Sequence, residues 1–337
     1  MADLAVAVAG ASGLVGSTIV ELLEARRFPA ASLRLLGSKE VPGRKISYQG
    51  TEHAIGRLEP DSFRGIDLAL FATSAEVSRT AVPWALDAGA RVIDNSHAFR
   101  MEPGVPLVVP EVNGDTVSGD TMLIANPNCC AIQLCVALAP LARAAGLRRV
   151  VVATYQSVSG AGRGGMETLE NERASAGGAH ADTARGPGVF AHPIVDNLVP
   201  EIGPFSRDGY TGEESKICEE TKKILGLDEL RMSVTAVRVP IQTAHSQAVW
   251  AELTEPLPPD EARRVWERSP GVVVIDEPGR SLYPTPRFVS GRDEVFVGRV
   301  RGDPSVDSGL AFWVVADNVR KGAALNAIQI AESFIAV

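Results

Sequence analysis

The chain has 337 residues, 45% of them hydrophobic and 22% charged, and carries a formal net charge of -8. That length accommodates two domains with substantial cores, and that charge argues against a general nucleic-acid surface. No apolar run reaches the roughly 18 residues a membrane helix needs, and Met1-Ala2-Asp3-Leu4 has no basic segment and apolar core of the signal-peptide kind.

Ala5 to Ala9 (AVAVA) reads as a buried parallel strand. It runs into Gly10-Ala11-Ser12-Gly13-Leu14-Val15-Gly16, and Ser17 to Arg26 follows with helical periodicity. This is a G-x-x-G-x-x-G variant of the dinucleotide fingerprint, placed between strand and helix as its mechanism requires. Glycines let the backbone approach a pyrophosphate that rests on the helix N-terminus. A second strand, Leu33 to Leu36, ends in Gly37-Ser38-Lys39-Glu40. Ser38 and Lys39 suit the 2′-phosphate of NADP, whereas Glu40 suits the ribose 2′-hydroxyl of NAD, so the residues leave the choice open.

Strand and helix keep alternating. Asp67 to Ala72 is a strand ending in Thr73-Ser74, Ser78 to Ala88 a helix, and Arg91 to Asp94 a strand ending in Asn95-Ser96-His97-Ala98-Phe99-Arg100. Leu107 to Val109 and Met122 to Ala125 complete an open α/β sheet, whose ligands bind beyond the carboxyl ends of its strands. After Leu147 the pattern changes. Arg149 to Ser157 is a longer strand and Ser159 to Gly165 a glycine-rich turn, followed by a helix and an excursion to Gly188. Glu213 to Leu225 is an amphipathic helix; Met232 to Val239, Ala248 to Thr254, Gly271 to Ile275, Glu294 to Arg301 and Leu310 to Ala316 are strands. Strands grouped with few helices predict an α+β domain on a largely antiparallel or mixed sheet. Arg320 to Ala336 is a final helix.

The chemistry centres on Asn126-Pro127-Asn128-Cys129-Cys130. Asn-Pro-Asn breaks the preceding strand, and Cys129 to Ala145 has helical potential from where Asn128 could cap it. A cysteine at a helix N-terminus sits where N–H groups and the macrodipole favour the reactive thiolate. Four cysteines, two of them adjacent, do not form a disulfide framework, and five scattered histidines lack zinc-site spacing. The expectation is a cytoplasmic, reduced protein without a metal. A cysteine beside a dinucleotide site suits thiol attack on a carbonyl, hydride transfer and acyl transfer. His245, in Arg238-Val239-Pro240-Ile241-Gln242-Thr243-Ala244-His245-Ser246, is the best candidate base.

GASGLVG at 10–16, NPNC at 126–129, YQSVSGAG at 155–162, EESK at 213–216, ETKKILG at 220–226, RVPIQTAHS at 238–246 and DNVRKGAALN at 317–326 together resemble aspartate-β-semialdehyde dehydrogenase. The motifs span essentially the whole chain. The resemblance implies a Rossmann-type domain over 1–127, with a C-terminal helix at 318–337 packed back on it. It further implies an α+β, glyceraldehyde-3-phosphate-dehydrogenase-like catalytic and dimerisation domain over 128–317. It implies NADP-dependent reduction of β-aspartyl phosphate to aspartate β-semialdehyde with release of inorganic phosphate. That reaction lies on the branch to lysine through diaminopimelate, threonine, methionine and isoleucine. Cys129 falls on the family nucleophile, His245 on its acid/base and Gln156 on the glutamine that positions the acyl group. Arg238 and Glu213 match the grips on the substrate α-carboxylate and amino group. Arg100, Asn128 and Lys216 match its phosphate pocket. Gly10, Ser12, Gly13, Leu14, Val15, Ser38, Lys39, Thr73, Ser159, Gly160 and Asn318 match cofactor contacts. A homodimer through the second domain, or a dimer of dimers, is implied.

Four positions depart from the family pattern. Cys130 stands where Ser or Thr is usual, Ala244 where Gly precedes the histidine, and His97 where Ser is common. Glu40 stands where NADP-using members tend to carry Arg, which keeps NAD in play. The rival readings are another acyl-phosphate reductase, such as N-acetyl-glutamyl-phosphate reductase, and a catalytically silent homologue with a binding role.

Overall fold

The structure is a computed structural model that describes residues 4–38, 43–175 and 189–335. The chain divides into two compact units: Met1–Asn128 with Ala323–Val337, and Cys129–Gly322.

In the first unit, residue alternation builds a doubly wound sheet. Its strands lie in the order Gly56–Arg57, Ala30–Gly37, Leu4–Ala9, Leu68–Phe71, Arg91–Asp94, Leu123–Ala125, and every pair is parallel. Successive side chains point to opposite faces. Val6 and Val8 therefore enter one core, with Ile19, Leu22 and Leu23 of helix Leu14–Ala25 and Leu325, Ile328 and Ala331 of helix Leu325–Ile335. Ala7 and Ala9 enter the opposite core, with Phe63, Phe71 and Ala81, Val82 and Ala85 of helix Ala75–Asp87. Both faces are covered, as an all-parallel sheet requires.

The second unit carries a mixed sheet in the order Arg231–Arg238, Leu147–Gln156, His245–Leu253, Gly309–Ala316, Val295–Gly302, Val272–Val274. The outer pairs are parallel and the three inner pairs antiparallel. Helix Cys129–Ala145 contacts this sheet and the helices Gly212–Leu225 and Pro259–Glu267. Trp266 stacks obliquely on Phe312 at 5.0 Å and donates its Nε1–H to the Ala137 carbonyl at 2.8 Å.

Several elements depart from expectation. Leu107–Val109 is no strand: only Leu107 bridges to Ala125, and Pro110 starts a short helical turn. The helix expected from Ser78 begins at Ala75, because the Ser74 hydroxyl caps the Val77 N–H. The terminal helix opens with a π-turn, Arg320–Ala324, before Leu325–Ile335. Helix Pro259–Glu267 and the hairpin Lys45–Tyr48/Thr51–Ala54 were not expected. The helix is short but strongly one-sided, burying Ala262 and Trp266, so its sequence carried a periodic signal. Gln49 and Gly50 at the hairpin tip both have positive φ (49° and 72°), as a two-residue hairpin loop needs.

Candidate active site

Cys129 is the first residue of its 17-residue helix and is half-buried. Its thiol is pushed well below the ordinary thiol range, chiefly by a hydrogen bond from Cys130. The nearby His245 and the positive charge of Arg238 act in the same direction against burial. The other three thiols are raised: burial pushes Cys130 well above the ordinary value, Cys218 up to about 11, and Cys135 higher still. Only one of the four cysteines is therefore poised as a thiolate.

Sheet register assembles the partners. Gln156 and Arg238 are paired at the ends of adjacent parallel strands, and Ser246 faces Tyr155 across the next, antiparallel pair. Two strand ends and one strand start thus meet at one edge of the sheet. His245 is fully buried; its Nδ1 receives the Ser157 N–H at 3.0 Å, with the Ser157 hydroxyl also at 3.0 Å. A backbone N–H can only donate, so the neutral ring carries its proton on Nε2. Nε2 has no hydrogen-bond partner among the described residues, and one nitrogen of the ring lies with the Cys129 and Cys130 sulfurs inside a group spanning 4.8 Å.

Arg238 is buried, donates from Nη1 to the Ser157 carbonyl at 2.7 Å, and leaves Nε without a partner among the described residues. Burial lowers its pKa and the neighbouring Glu213 opposes that shift. Glu213 accepts from Gln156 Nε2 at 3.3 Å and lies 3.9 Å from Lys216, one helical turn on. Its sequence neighbour has a different task. Glu214 closes a capping box with Thr211 and accepts the Ala236 N–H at 2.9 Å, so it fastens the helix to the strand ending in Arg238.

Two glycines let backbone pass close to these side chains. A Cβ on Gly160 would lie 2.6 Å from Arg238 Nη1 and 3.1 Å from His245 Nε2. One on Gly322, in the π-turn, would lie 3.1 Å from Cys129 Cβ. Asn318 ties the surrounding loops together: its Oδ1 accepts from Ser157 Oγ, Ser159 Oγ and the Ala244 N–H at 3.0–3.2 Å. Ala244 itself sits at φ 68°, fully buried. Gly322 and Ser157 escaped the sequence reading; Ser157 carried a signal, since it lies inside YQSVSGAG, between two residues already singled out.

The first unit holds the dinucleotide loop. Gly10 has φ +82°, and a Cβ there would meet the Ala72 carbonyl at 2.2 Å; one on Gly16 would meet Gly10 O at 2.1 Å. Gly13 occupies the N-cap of helix Leu14–Ala25, where no side chain caps the first turn. Ser12, Leu14 and Val15 flank it, half-buried. This close-packed turn and uncapped helix start fit a pyrophosphate. Thr73 bonds to Ser78, which donates to the buried Asp94, so its hydroxyl already serves the fold. Arg100 is buried and donates to the carbonyls of Asn126 and Asn95 at 2.9 and 2.7 Å. Asn128 is buried and Ser38 exposed. Lys39 and Glu40 lie outside the described residues.

Residues 5–119 match the family model "Semialdehyde dehydrogenase, NAD binding domain", and residues 138–321 match "Semialdehyde dehydrogenase, dimerisation domain". The chain is 46% identical to an aspartate-semialdehyde dehydrogenase of Aquifex aeolicus, covering 98% of this chain and 97% of that one. It is 42% identical to one from Bacillus subtilis, with the same coverage. The crystal structure of aspartate semialdehyde dehydrogenase II from Vibrio cholerae superposes with a TM-score of 0.95 at 40% identity, over 99% of both chains. A second structure of that enzyme, complexed with ASA, also has a TM-score of 0.95, at 39% identity and over 100% of this chain and 99% of that one. The chain belongs to the aspartate-semialdehyde dehydrogenase family.

Proposed function

We propose that the protein converts L-aspartyl 4-phosphate to L-aspartate 4-semialdehyde with NADPH and release of phosphate, through a thioacyl intermediate on Cys129. The observation that carries this reading is a lowered thiol at a helix start, grouped with a buried imidazole and flanked by Arg238. The relative complexed with ASA supports the substrate class.

The Cys129 thiolate adds to the acyl carbonyl, and the tetrahedral oxyanion collapses with loss of phosphate to a thioester. When bound, the nicotinamide supplies hydride to that thioester carbon. The resulting alkoxide collapses to aldehyde and regenerates the thiolate. In both steps charge develops on one oxygen. The Nε2–H of His245, aimed by Ser157, and the N–H groups at the helix start are the donors to meet it. One such donor is typically worth about 3 kcal/mol. Arg238 clamps the α-carboxylate, Glu213 receives the amino group, and Gln156 orients the acyl group from its bond to Glu213. Lys216 meets the phosphate. The assignment of Arg100 and Asn128 to phosphate rests on the family resemblance.

The NADP assignment rests on Ser38 and Lys39 against Glu40, with the ratio of kcat/KM for the two nicotinamides as its test. A homodimer is supported by the matched dimerisation domain and by the half-exposed sheet face bearing Tyr155, Trp250 and Trp313. The decisive assay is phosphate-dependent reduction of NADP+ by L-aspartate 4-semialdehyde. Activity abolished in Cys129→Ala supports the reading; activity retained in that variant, or absent without the substitution, overturns it.

A further inference from the structure

Cys130 has no part in the chemistry above beyond its hydrogen bond to Cys129, yet it brings a second sulfur to the same point. We propose that Cys129, Cys130 and His245 form a binding site for a soft divalent cation, with Zn²⁺ as the natural occupant, that switches the nucleophile off. The ligand atoms Sγ, Sγ and an imidazole nitrogen lie within 4.8 Å of one another. Tetrahedral zinc bonds of about 2.3 Å to sulfur and 2.0–2.1 Å to nitrogen place ligand atoms about 3.5–3.8 Å apart. The existing group needs to close by at most about 1.3 Å, a distance that side-chain torsions can supply. Two sulfurs and one nitrogen form a three-ligand site with an open fourth position.

Two further features point to a ligand. His245 Nε2 is a fully buried polar atom without a hydrogen-bond partner among the described residues. Ser157 can support the metal-bound tautomer: its Oγ, 3.0 Å from Nδ1, accepts the ring proton, while its own hydrogen turns to Asn318 Oδ1 at 3.2 Å. Such outer-shell partners orient metal-bound histidines. The Ser157 amide bond to Nδ1 is given up in exchange. Charge balances, since two thiolates neutralise the dication and Arg238 is offset by Glu213. Binding releases the Cys130 proton to solvent, with no redox change. Zinc takes the Cys129 lone pair needed for attack, so the inhibitory consequence rests on the proposed nucleophile, whereas the binding itself does not.

The test is equilibrium binding of Zn²⁺, in competition with a chromophoric chelator, to the reduced full-length protein under argon. Cd²⁺ serves as a second probe, read by thiolate-to-metal charge-transfer absorbance. One ion per chain with thiolate absorbance is expected, with affinity falling at least tenfold in Cys130→Ser and again in Cys129→Ser. Circular dichroism checks that both variants fold. Equal affinity in the unsubstituted protein and both variants, or no thiolate absorbance with Cd²⁺, overturns the site. Cd²⁺ binding in a protein without semialdehyde activity would instead refute the proposed function and leave the site standing.

Discussion

Gly160 is the position where the smallest covalent change has the largest reasoned effect. Its added methyl in Gly160→Ala falls 2.6 Å from Arg238 Nη1, about 0.8 Å short of the 3.4 Å at which ordinary contact begins. Arg238 cannot yield freely, because it is buried and Nη1 is held to the Ser157 carbonyl at 2.7 Å. His245 Nε2, 3.1 Å from the same methyl, is anchored through Nδ1. Displacing reacting groups by nearly 1 Å costs about 10²-fold, equivalent to about 2.7 kcal/mol of transition-state stabilisation. The expected result is a loss of about 10²-fold in kcat/KM for L-aspartate 4-semialdehyde, with far-UV circular dichroism unchanged. Gly164→Ala, whose methyl meets only Val189, at 3.4 Å, among the described residues, is the control and should retain near-normal rates. A kcat/KM for Gly160→Ala within threefold of the unsubstituted protein would show that this backbone is not pressed against Arg238 and His245.

Alkylation of Cys129 by iodoacetamide, followed by mass spectrometry of the labelled peptide, should stay fast well below the pH where ordinary thiols react. It should slow only as falling pH protonates the lowered thiol; a profile centred near that of a free thiol would contradict the local field. His245→Ala should shift that profile upward, since the imidazole is one of the groups lowering the thiol. Ala244→Gly should change stability by less than about 1 kcal/mol in denaturant titration. Relief of about 1–2 kcal/mol of left-handed strain is offset by glycine's entropy and the loss of a buried methyl. Ala244→Val, β-branched at the same φ of 68°, should destabilise the fold clearly. Thr211→Ala removes a fully buried cap from the helix carrying Glu213 and Lys216. It should cost about 1–2 kcal/mol in unfolding free energy, and no loss would show that the cap carries none of that helix's stability.

The alternating apolar residues of 5–9, the glycine turn at 10–16 and the Asn-Pro-Asn break before Cys129 are local signals. Each acts through neighbours in the chain, so strand, turn and helix start follow from the sequence directly. The position of Cys129 at a helix start was legible for the same reason. Periodicity could not say that Glu213 turns to Gln156 while Glu214 turns to the strand ending in Arg238. Nor could it show Gly160 lying against Arg238 and His245, Asn318 collecting three donors, or a second sulfur joining the buried imidazole. Those relations join residues 22 to 161 positions apart, and the register of the mixed sheet fixes which of them meet. The sequence by itself determined most of the elements and the placement of Cys129 at a helix start. The tertiary structure decided what surrounds that sulfur, because side-chain contacts depend on packing across strands rather than on spacing along one.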